Sequence, residues 1–209
     1  LPTRVNKIKY MFRLPSFTKN LKKEARILIQ TSLVTFFSMG LLGPIYAIYV
    51  ERIGGDILDA GIAYAFFSCA TGLFVLFFGT SPFFARNVRL MLISGYSLFF
   101  LGTVGYLFVR NPIELFLVQI VIGVSYGILE PSFDSVFASN LSEAEASRHW
   151  SLWTGGTSLV TGLAALAGSA IVAAYSFTVL FAIMSILNFL GLLVAFRILK
   201  QAPIGRETF

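Results

Sequence analysis

Residues 115–138 read LFLVQIVIGVSYGILEPSFDSVFA, an apolar stretch long enough to cross a bilayer as a helix. On such a helix five polar or small residues share one narrow arc, at spacings of i, i+4, i+7, i+11 and i+15: Gln119, Gly123, Tyr126, Glu130 and Asp134. An ionised carboxylate in hydrocarbon costs about 2.5 kcal/mol or more, so Glu130 and Asp134 should face protein or water rather than lipid. The stretch therefore predicts a transmembrane helix whose polar arc lines a path through a membrane protein.

The composition of the chain fits a membrane protein. Of its 209 residues, 56% are hydrophobic and 12% are charged, whereas a soluble domain carries about 25% charged residues. The net charge of +6 is therefore not taken as a sign of nucleic-acid binding. The positions of the basic residues relative to the bilayer are more informative. One cysteine, Cys69, and one histidine, His149, leave no internal disulfide and no Cys- or His-rich metal site, so we expect no metal and no cofactor. Cys69 lies in an apolar run and is expected to be a small packing residue.

Six apolar spans of membrane length follow one another along the chain, separated by short polar connections. They are predicted at 27–50, 57–79, 89–109, 114–138, 150–174 and 177–198. A basic stretch, 1–26, precedes them as a cytoplasmic tail or surface helix, and a polar tail, 199–209, follows them. In the connection before the fifth span, Ser142 and Glu145 have the spacing of a capping box. The chain is thus predicted to be an all-α integral membrane protein whose partner is the lipid bilayer.

The distribution of Lys and Arg predicts the orientation in the membrane. An even number of spans places both termini on one side, and of the 16 Lys and Arg residues Arg52 and Arg110 are the two on the other side. Basic residues in short loops accumulate on the cytoplasmic side. Both termini are therefore expected in the cytoplasm, with the protein in the plasma (cytoplasmic) membrane. Trp150 and Trp153 would then mark the inner membrane interface.

The pattern Gly-x-Leu-x-Pro occurs twice, in the first and in the fourth span, at an offset of 87 residues. The two copies begin at Gly40 and Gly127 and end at Pro44 and Pro131. Because the offset covers three spans, the copies cross the membrane in opposite directions, which is typical of an inverted repeat of two three-helix units. Each proline removes one helix hydrogen bond and predicts a kink. A chance match between two Gly- and Leu-rich spans is the alternative.

Two further faces carry small or polar residues. Thr35, Ser38 and Tyr46 share a polar face of the first span, where each hydrogen-bonds either a solute or another helix. In the fifth span a face of small residues is expected to pack closely against another helix; it consists of Ser158, Gly162, Ala165 and Ser169. In the sixth span Asn188 is expected to make a packing hydrogen bond.

With these features the chain resembles one half of a major facilitator superfamily transporter over about residues 27–198. Gly79 followed by Arg86 and Arg89 is similar to the family's Gly…Arg-rich loop between helices two and three. Gln119-x-x-x-Gly123 stands where the family often has Arg-x-x-x-Gly in helix four. The run 142–148 resembles the family's acidic segment with a trailing arginine, and 155–168 resembles its Gly-rich fifth helix.

Three positions depart from the family pattern. Phe83 stands where the loop usually has an Asp, Gln119 replaces the arginine of helix four, and Leu163 follows Gly162 where the antiporter-type motif has Pro. Coupling through that arginine is therefore not carried over to this chain. The resemblance implies twelve spans with the solute between two halves, so the partner would be a second six-helix half, either another copy or a missing C-terminal half.

The resulting hypothesis is a secondary, gradient-driven transporter module for an unknown small solute, since the chain has no P-loop. Glu130 is interpreted as a carboxylate that couples proton movement to the solute, or as a structural one bonded to a polar neighbour. Asp134 lies one turn nearer the cytoplasm, and Gln119 and Tyr126 would hydrogen-bond the solute or another helix. No enzyme and no catalytic residues are predicted, because His149 lies in a loop and two carboxylates are too few for a metal hydrolase. The alternative is a non-transporting membrane scaffold or assembly partner.

Overall fold

The computed structural model describes residues 22–142 and 144–199. Most of the predicted basic tail, and the predicted polar tail from residue 200 onward, lie outside these residues. The described part of the chain is helical and contains no β-strand.

Six helices in the described ranges are long and apolar enough to cross a membrane. We number them span 1 to span 6 in chain order: Lys23–Arg52, Ile57–Gly79, Val88–Phe108, Pro112–Ser139, Ala146–Ala174 and Phe177–Ile198. The predicted spans are confirmed. Spans 1 and 5 begin earlier than predicted because their first turns carry polar residues, which a hydropathy pattern leaves out.

Side-chain caps begin several of these helices. The Asp56 carboxylate accepts hydrogen bonds from the backbone N–H groups of Leu58 and Asp59, and the Asp59 carboxylate accepts one from the N–H of Asp56. This reciprocal capping box satisfies backbone donors that the first helical turn leaves without partners. Span 4 is capped by Asn111, and span 6 by Ser176.

The capping box predicted between Ser142 and Glu145 is wrong. The backbone N–H of Glu145 donates to the Ser142 carbonyl oxygen, so these residues form a turn before the helix. Span 5 therefore begins at Ala146, with Glu145 as its N-cap residue and no side-chain capping bond.

The two halves of the bundle make equivalent contacts. Span 4 packs against spans 2 and 3, span 1 packs against spans 5 and 6, and spans 3 and 6 pack against each other. Exchanging spans 1, 2 and 3 with spans 4, 5 and 6 leaves this set of neighbours unchanged. Tyr126 donates a hydrogen bond to the Sδ atom of Met39. The two residues are 87 positions apart and therefore occupy equivalent positions of the two repeats, and such residues meet at the axis that relates the repeats. These contacts support an inverted repeat of two three-helix units.

Close helix contacts follow the same offset. A Cβ atom added at Gly40 would lie 2.9 Å from the Thr161 carbonyl oxygen, and one added at Gly127 would lie 2.5 Å from Phe74 Cβ. Gly40 and Gly127 are 87 positions apart, as are Phe74 and Thr161. The repeated glycines thus mark where span 5 approaches span 1 and where span 2 approaches span 4, because a missing side chain lets two backbones come close.

The prolines of the repeat lie in different backbone structures. At Pro44 the α-helix of span 1 gives way to a 3₁₀ turn, Gly43–Ile45, before it resumes at Tyr46. Span 4 continues as an α-helix through Pro131. The missing N–H of a proline interrupts helix hydrogen bonding locally, and neighbouring helices can support the chain at that point. A kink at Pro131 stays a prediction.

Within the described bundle, span 5 packs through a different face from the predicted one. A Cβ added at Gly162 would have no atom within 4 Å among the described residues, whereas one at Gly168 would overlap the backbone of Leu41. Ser158 and Gly162 are exposed, and the buried residues of this helix include Thr157 and Ala164. Small residues occur on both faces of the helix, so residue size alone did not identify the contacting face.

Spans 2 and 5 are the least buried helices of the described bundle. In the most apolar window of each, 6% and 17% of the residues are buried, against 39–44% in the other four spans. Cys69 in span 2 is exposed, so it is not packed against another helix of the described bundle. These two helices present broad apolar surfaces to whatever surrounds the bundle.

Candidate solute cavity

A cavity of about 290 Å³ lies between spans 1, 3, 4 and 5, in the half of the bundle where span 1 begins. Its polar lining comes mainly from one face of span 4 and the facing turns of spans 1 and 3. These polar residues are Ser32, Thr35, Tyr96, Tyr126, Glu130 and Asp134. Of the polar arc that the sequence predicts in span 4, the three residues Tyr126, Glu130 and Asp134 line this cavity.

Two of the three carboxylates of span 4 line this cavity, and the third, Glu114, lies in the first turn of the helix. Glu130 and Asp134 are one helical turn apart and are exposed rather than covered by other parts of the bundle. A charged group within a membrane-length helix is stable only beside water or a polar partner. The cavity therefore has to hold water, a solute or a further protein surface against these two groups.

Aromatic side chains from spans 1, 4 and 5 form an aromatic wall in the cavity lining. The rings of Phe133 and Trp153 stack with centroids 4.9 Å apart, and Trp150 meets Trp153 edge to face at 5.5 Å. Phe36 of span 1 also contacts Trp153 edge to face, at 6.2 Å. Aromatic side chains packed in this way have few free torsions, so the wall is a fixed apolar surface.

The sequence reasoning missed this wall. The sequence predicts Trp150 and Trp153 at the inner membrane interface, and the structure places both in the lining of the cavity. Trp150 and Trp153 are spaced i, i+3 on span 5, and Phe133 and Phe137 are spaced i, i+4 on span 4, so the sequence predicts an aromatic face on each helix. Nothing in the spacing shows that the two faces meet each other.

Three predicted cavity residues bond to other helices instead. The Gln119 amide donates to the Tyr46 hydroxyl at 2.6 Å, which joins span 4 to span 1. The Asn188 amide donates to the Ser38 hydroxyl at 2.8 Å, in agreement with its predicted packing role. None of Ser38, Tyr46 and Gln119 lines the cavity. These side chains bond to neighbouring helices, which is one of the two roles that the sequence allows for them.

The arc of span 4 is therefore divided between two environments. Gly123 faces span 2, where a Cβ would lie 2.4 Å from the Phe67 carbonyl oxygen. Tyr126 lies at the boundary, because it both lines the cavity and hydrogen-bonds Met39. From Glu130 onward the arc faces the open cavity.

The opposite end of the bundle is filled by aromatic side chains. Tyr49 and Phe181 have ring centroids 4.8 Å apart, and Tyr106 stacks on Phe181 at 4.9 Å. Arg52 lies over the ring of Phe177, with its guanidinium carbon 5.8 Å from the centroid. These residues separate the cavity from that end, so the cavity is a recess rather than a channel through the described bundle.

A buried ion pair joins three spans beside the cavity end of the bundle. The Glu24 carboxylate accepts hydrogen bonds from the Arg89 guanidinium at 2.5 Å and from the Asn140 amide at 2.8 Å. Glu24 is 7% exposed, so the pair lies largely away from solvent. Of the predicted loop motif, only Arg89 belongs to this cluster, while Gly79 at the end of span 2 and Arg86 in the following connection are exposed. The sequence reasoning did not identify Glu24.

The described residues contain no group of three or more His, Cys, Asp or Glu side chains that could hold a metal ion. His149 is 3% exposed, and its Nδ1 atom has no hydrogen-bond partner in the described part of the chain. His149 does not line the cavity.

The fold and the cavity define a membrane protein with a solute-sized recess between its helices. The family model of the Major Facilitator Superfamily matches residues 28–209. The chain belongs to this superfamily of membrane transporters, and it is an integral membrane protein. Family membership indicates a transporter rather than an enzyme.

A curated relative supports this assignment. The chain is 21% identical over 185 residues to a protein named multidrug resistance protein MdtG from Yersinia enterocolitica. The match covers 86% of this chain and 44% of that protein. The chain therefore spans less than half the length of the relative.

Proposed function

We propose that the chain is one half of a secondary transporter that moves a small solute by alternating access, driven by a gradient. The observation that carries this proposal is the recess of about 290 Å³ with Glu130 and Asp134 in its wall. Among the described residues, no hydrogen bond or ion pair to another side chain accounts for these two exposed carboxylates. A site for a solute or a proton accounts for them.

A second six-helix half completes the site in this proposal. Left against lipid, the open mouth at Glu130 and Asp134 would be costly, since hydrocarbon solvates neither charge nor free polar groups. The nearly unburied spans 2 and 5 pack on spans 4 and 1, which line the cavity, and provide apolar surface for such a partner. The partner is either a C-terminal half of the same polypeptide or a second copy of this chain, and the 44% coverage of the relative favours the former.

The orientation of the proposed transporter follows from the basic residues. With both termini in the cytoplasm of a plasma membrane, the end of the bundle that holds the cavity faces inward. The packed aromatic end then faces outward. The described conformation is therefore open to the cytoplasm and closed to the outside.

Glu130 is the proposed coupling residue. Closing two halves around a carboxylate removes water from it, and the charged form loses more solvation than the protonated form. Protonation thus lowers the cost of closing, and release on the other side restores the charge. This links the movement of a proton to the change between inward-open and outward-open states.

The test is uptake by proteoliposomes that contain the natural full-length protein, measured with and without an imposed pH gradient. Glu130→Gln should abolish the part of uptake that the pH gradient drives, because an amide cannot carry a proton. Glu51→Gln is the matched control, since Glu51 is an exposed carboxylate of span 1 outside the cavity. Unchanged pH-driven uptake in Glu130→Gln would exclude the coupling role. If removing both carboxylates changed only oligomerisation, the scaffold alternative would hold instead.

A further inference from the structure

We infer that the cavity binds an organic cation with a flat, apolar body, whose charge lies against Asp134 and whose body packs on Trp150 and Trp153. The inference rests on the proposed function, because it names the class of solute for the same cavity. It depends on three properties of the cavity, namely its charge, its aromatic wall and its size.

The charge of the cavity selects for a cation. Both charged side chains in its wall are carboxylates, and none of the described lining residues is Lys, Arg or His. Two basic side chains of this end have acidic partners outside the cavity lining, since Arg89 bonds Glu24 and Arg148 lies 3.9 Å from Glu145. Two like charges in a partly enclosed, low-dielectric site attract a cation strongly and repel an anion.

The aromatic wall suits the body of such a solute. Trp150 and Trp153 are half-buried, so part of each indole surface borders the cavity. Their planes are 81° apart, which lets a flat solute lie along one ring while its edge meets the other. An indole is the best aromatic partner for a cation, and a cation held between carboxylates and indoles gains from both.

The positions of these groups predict the orientation of the solute in the cavity. Asp134 lies toward the cavity end of span 4 and Tyr126 lies two turns deeper, at the bond to Met39. A cation at Asp134 with its apolar body against the aromatic wall leaves Glu130 available for the proton. The volume of about 290 Å³ holds a bicyclic solute and lies near the lower end of known ligand pockets, as expected when the second half provides another wall.

The experiment uses three ring systems of matched size and different charge: N-methylquinolinium as cation, quinoline as neutral solute and 2-naphthoate as anion. The chain has two tryptophans, and both line the cavity, so its intrinsic fluorescence reports occupancy. Binding to the full chain in lipid nanodiscs is measured by saturable quenching, corrected for absorption by the solute. We expect the cation to bind at least about tenfold more tightly than quinoline or 2-naphthoate.

Variants assign the selectivity to the cavity. Asp134→Asn should weaken binding of N-methylquinolinium about tenfold and leave quinoline unchanged, while Asp134→Glu should restore most of the loss. Glu51→Gln is the control and should leave all three affinities unchanged. Equal binding of the three solutes, tighter binding of the anion, no saturable quenching, or an equal effect of Asp134→Asn on all three would overturn the inference. Selective binding of the cation without gradient-driven uptake of it would overturn the proposed transport and leave the binding site standing.

Discussion

Several polar side chains that the sequence predicts as possible solute contacts instead form neutral hydrogen bonds between helices. Gln119 and Tyr46 are the clearest pair, with 2.6 Å between the amide nitrogen and the hydroxyl oxygen. Gln119 is buried, and a polar group in a membrane interior needs a partner from another helix when no solute provides one. The residue is thus explained by packing of span 4 on span 1.

Gln119→Leu should therefore destabilise the bundle by about 1 kcal/mol, because it removes this bond and leaves the Tyr46 hydroxyl without it. The measurement is unfolding of the purified protein in mixed micelles as the denaturing detergent is increased. Ser151→Ala is the control, since the Ser151 hydroxyl is exposed and bonds the Ser147 carbonyl of its own helix. A Gln119→Leu protein as stable as the control would show that the bond adds nothing to the fold.

At the scale of the helices, glycines decide how closely the spans approach. Gly40 and Gly127 occupy equivalent positions of the two repeats, and each meets a neighbouring helix with no room for a side chain. Gly168 is tighter still, because a Cβ there would overlap the Leu41 carbonyl group. The contacts between spans 1 and 5 and between spans 2 and 4 depend on these positions.

Two glycines of span 5 provide a matched test. Gly168→Ala should destabilise the protein by about 1–3 kcal/mol or more, because the added methyl group forces span 5 away from span 1. Gly162→Ala should leave stability nearly unchanged, since a Cβ there meets no atom within 4 Å in the described bundle. Both are measured by the same detergent unfolding. An equal loss in the two variants would contradict the assigned packing face of span 5.

At the scale of the whole molecule, the two ends of the bundle differ in a way that the repeat makes visible. Tyr46 and Gln119 bond each other toward the filled end. The positions equivalent to them by the 87-residue offset are Phe133 and Ser32, and both of these line the open cavity. The two equivalent pairs therefore differ: one pair is joined by a hydrogen bond at the filled end, and the other lines the cavity at the open end. Alternating access in a transporter built from inverted repeats uses such a difference between its two ends.

The cluster of Glu24, Arg89 and Asn140 connects spans 1, 3 and 4 at the open end. The Arg89 and Glu24 side chains are 15% and 9% exposed, so this is a largely buried ion pair. Removing one partner of such a pair leaves a charge without compensation, which typically costs about 3–5 kcal/mol. The cluster is a structural joint near the cavity rather than part of its lining.

Charge reversal tests this joint. Glu24→Arg should strongly reduce the yield of folded protein, because two guanidinium groups then meet in a buried place. The double variant Glu24→Arg with Arg89→Glu should recover much of the yield, since the Asn140 amide can accept a hydrogen bond as well as donate one. Arg86→Glu is the control at an exposed position of the preceding connection. A double variant as poorly folded as Glu24→Arg alone would contradict the proposed joint. Monodisperse protein recovered by size-exclusion chromatography is the measurement.

Hydrophobicity and length by themselves determined the six spans of this protein, because a bilayer requires about 20 apolar residues per crossing wherever the helix packs. The repeat of Gly40 and Gly127, and the placement of two carboxylates in span 4, were likewise readable from spacing alone. From these the fold class and the location of a polar site could be predicted. The family resemblance rested on the same features.

Only the tertiary structure decided which neighbour each helix face meets. Gln119 and Glu130 belong to one arc of span 4, yet one bonds Tyr46 and the other lines the cavity. Gly162 and Gly168 are both small residues of span 5, yet only Gly168 contacts span 1. The physical reason is that lipid and the protein interior are about equally apolar. A hydrophobic pattern therefore does not show which side of a helix faces lipid and which side is buried. It also does not show which helix a given side contacts. The aromatic wall of the cavity, formed by residues far apart in the chain, follows from that packing alone.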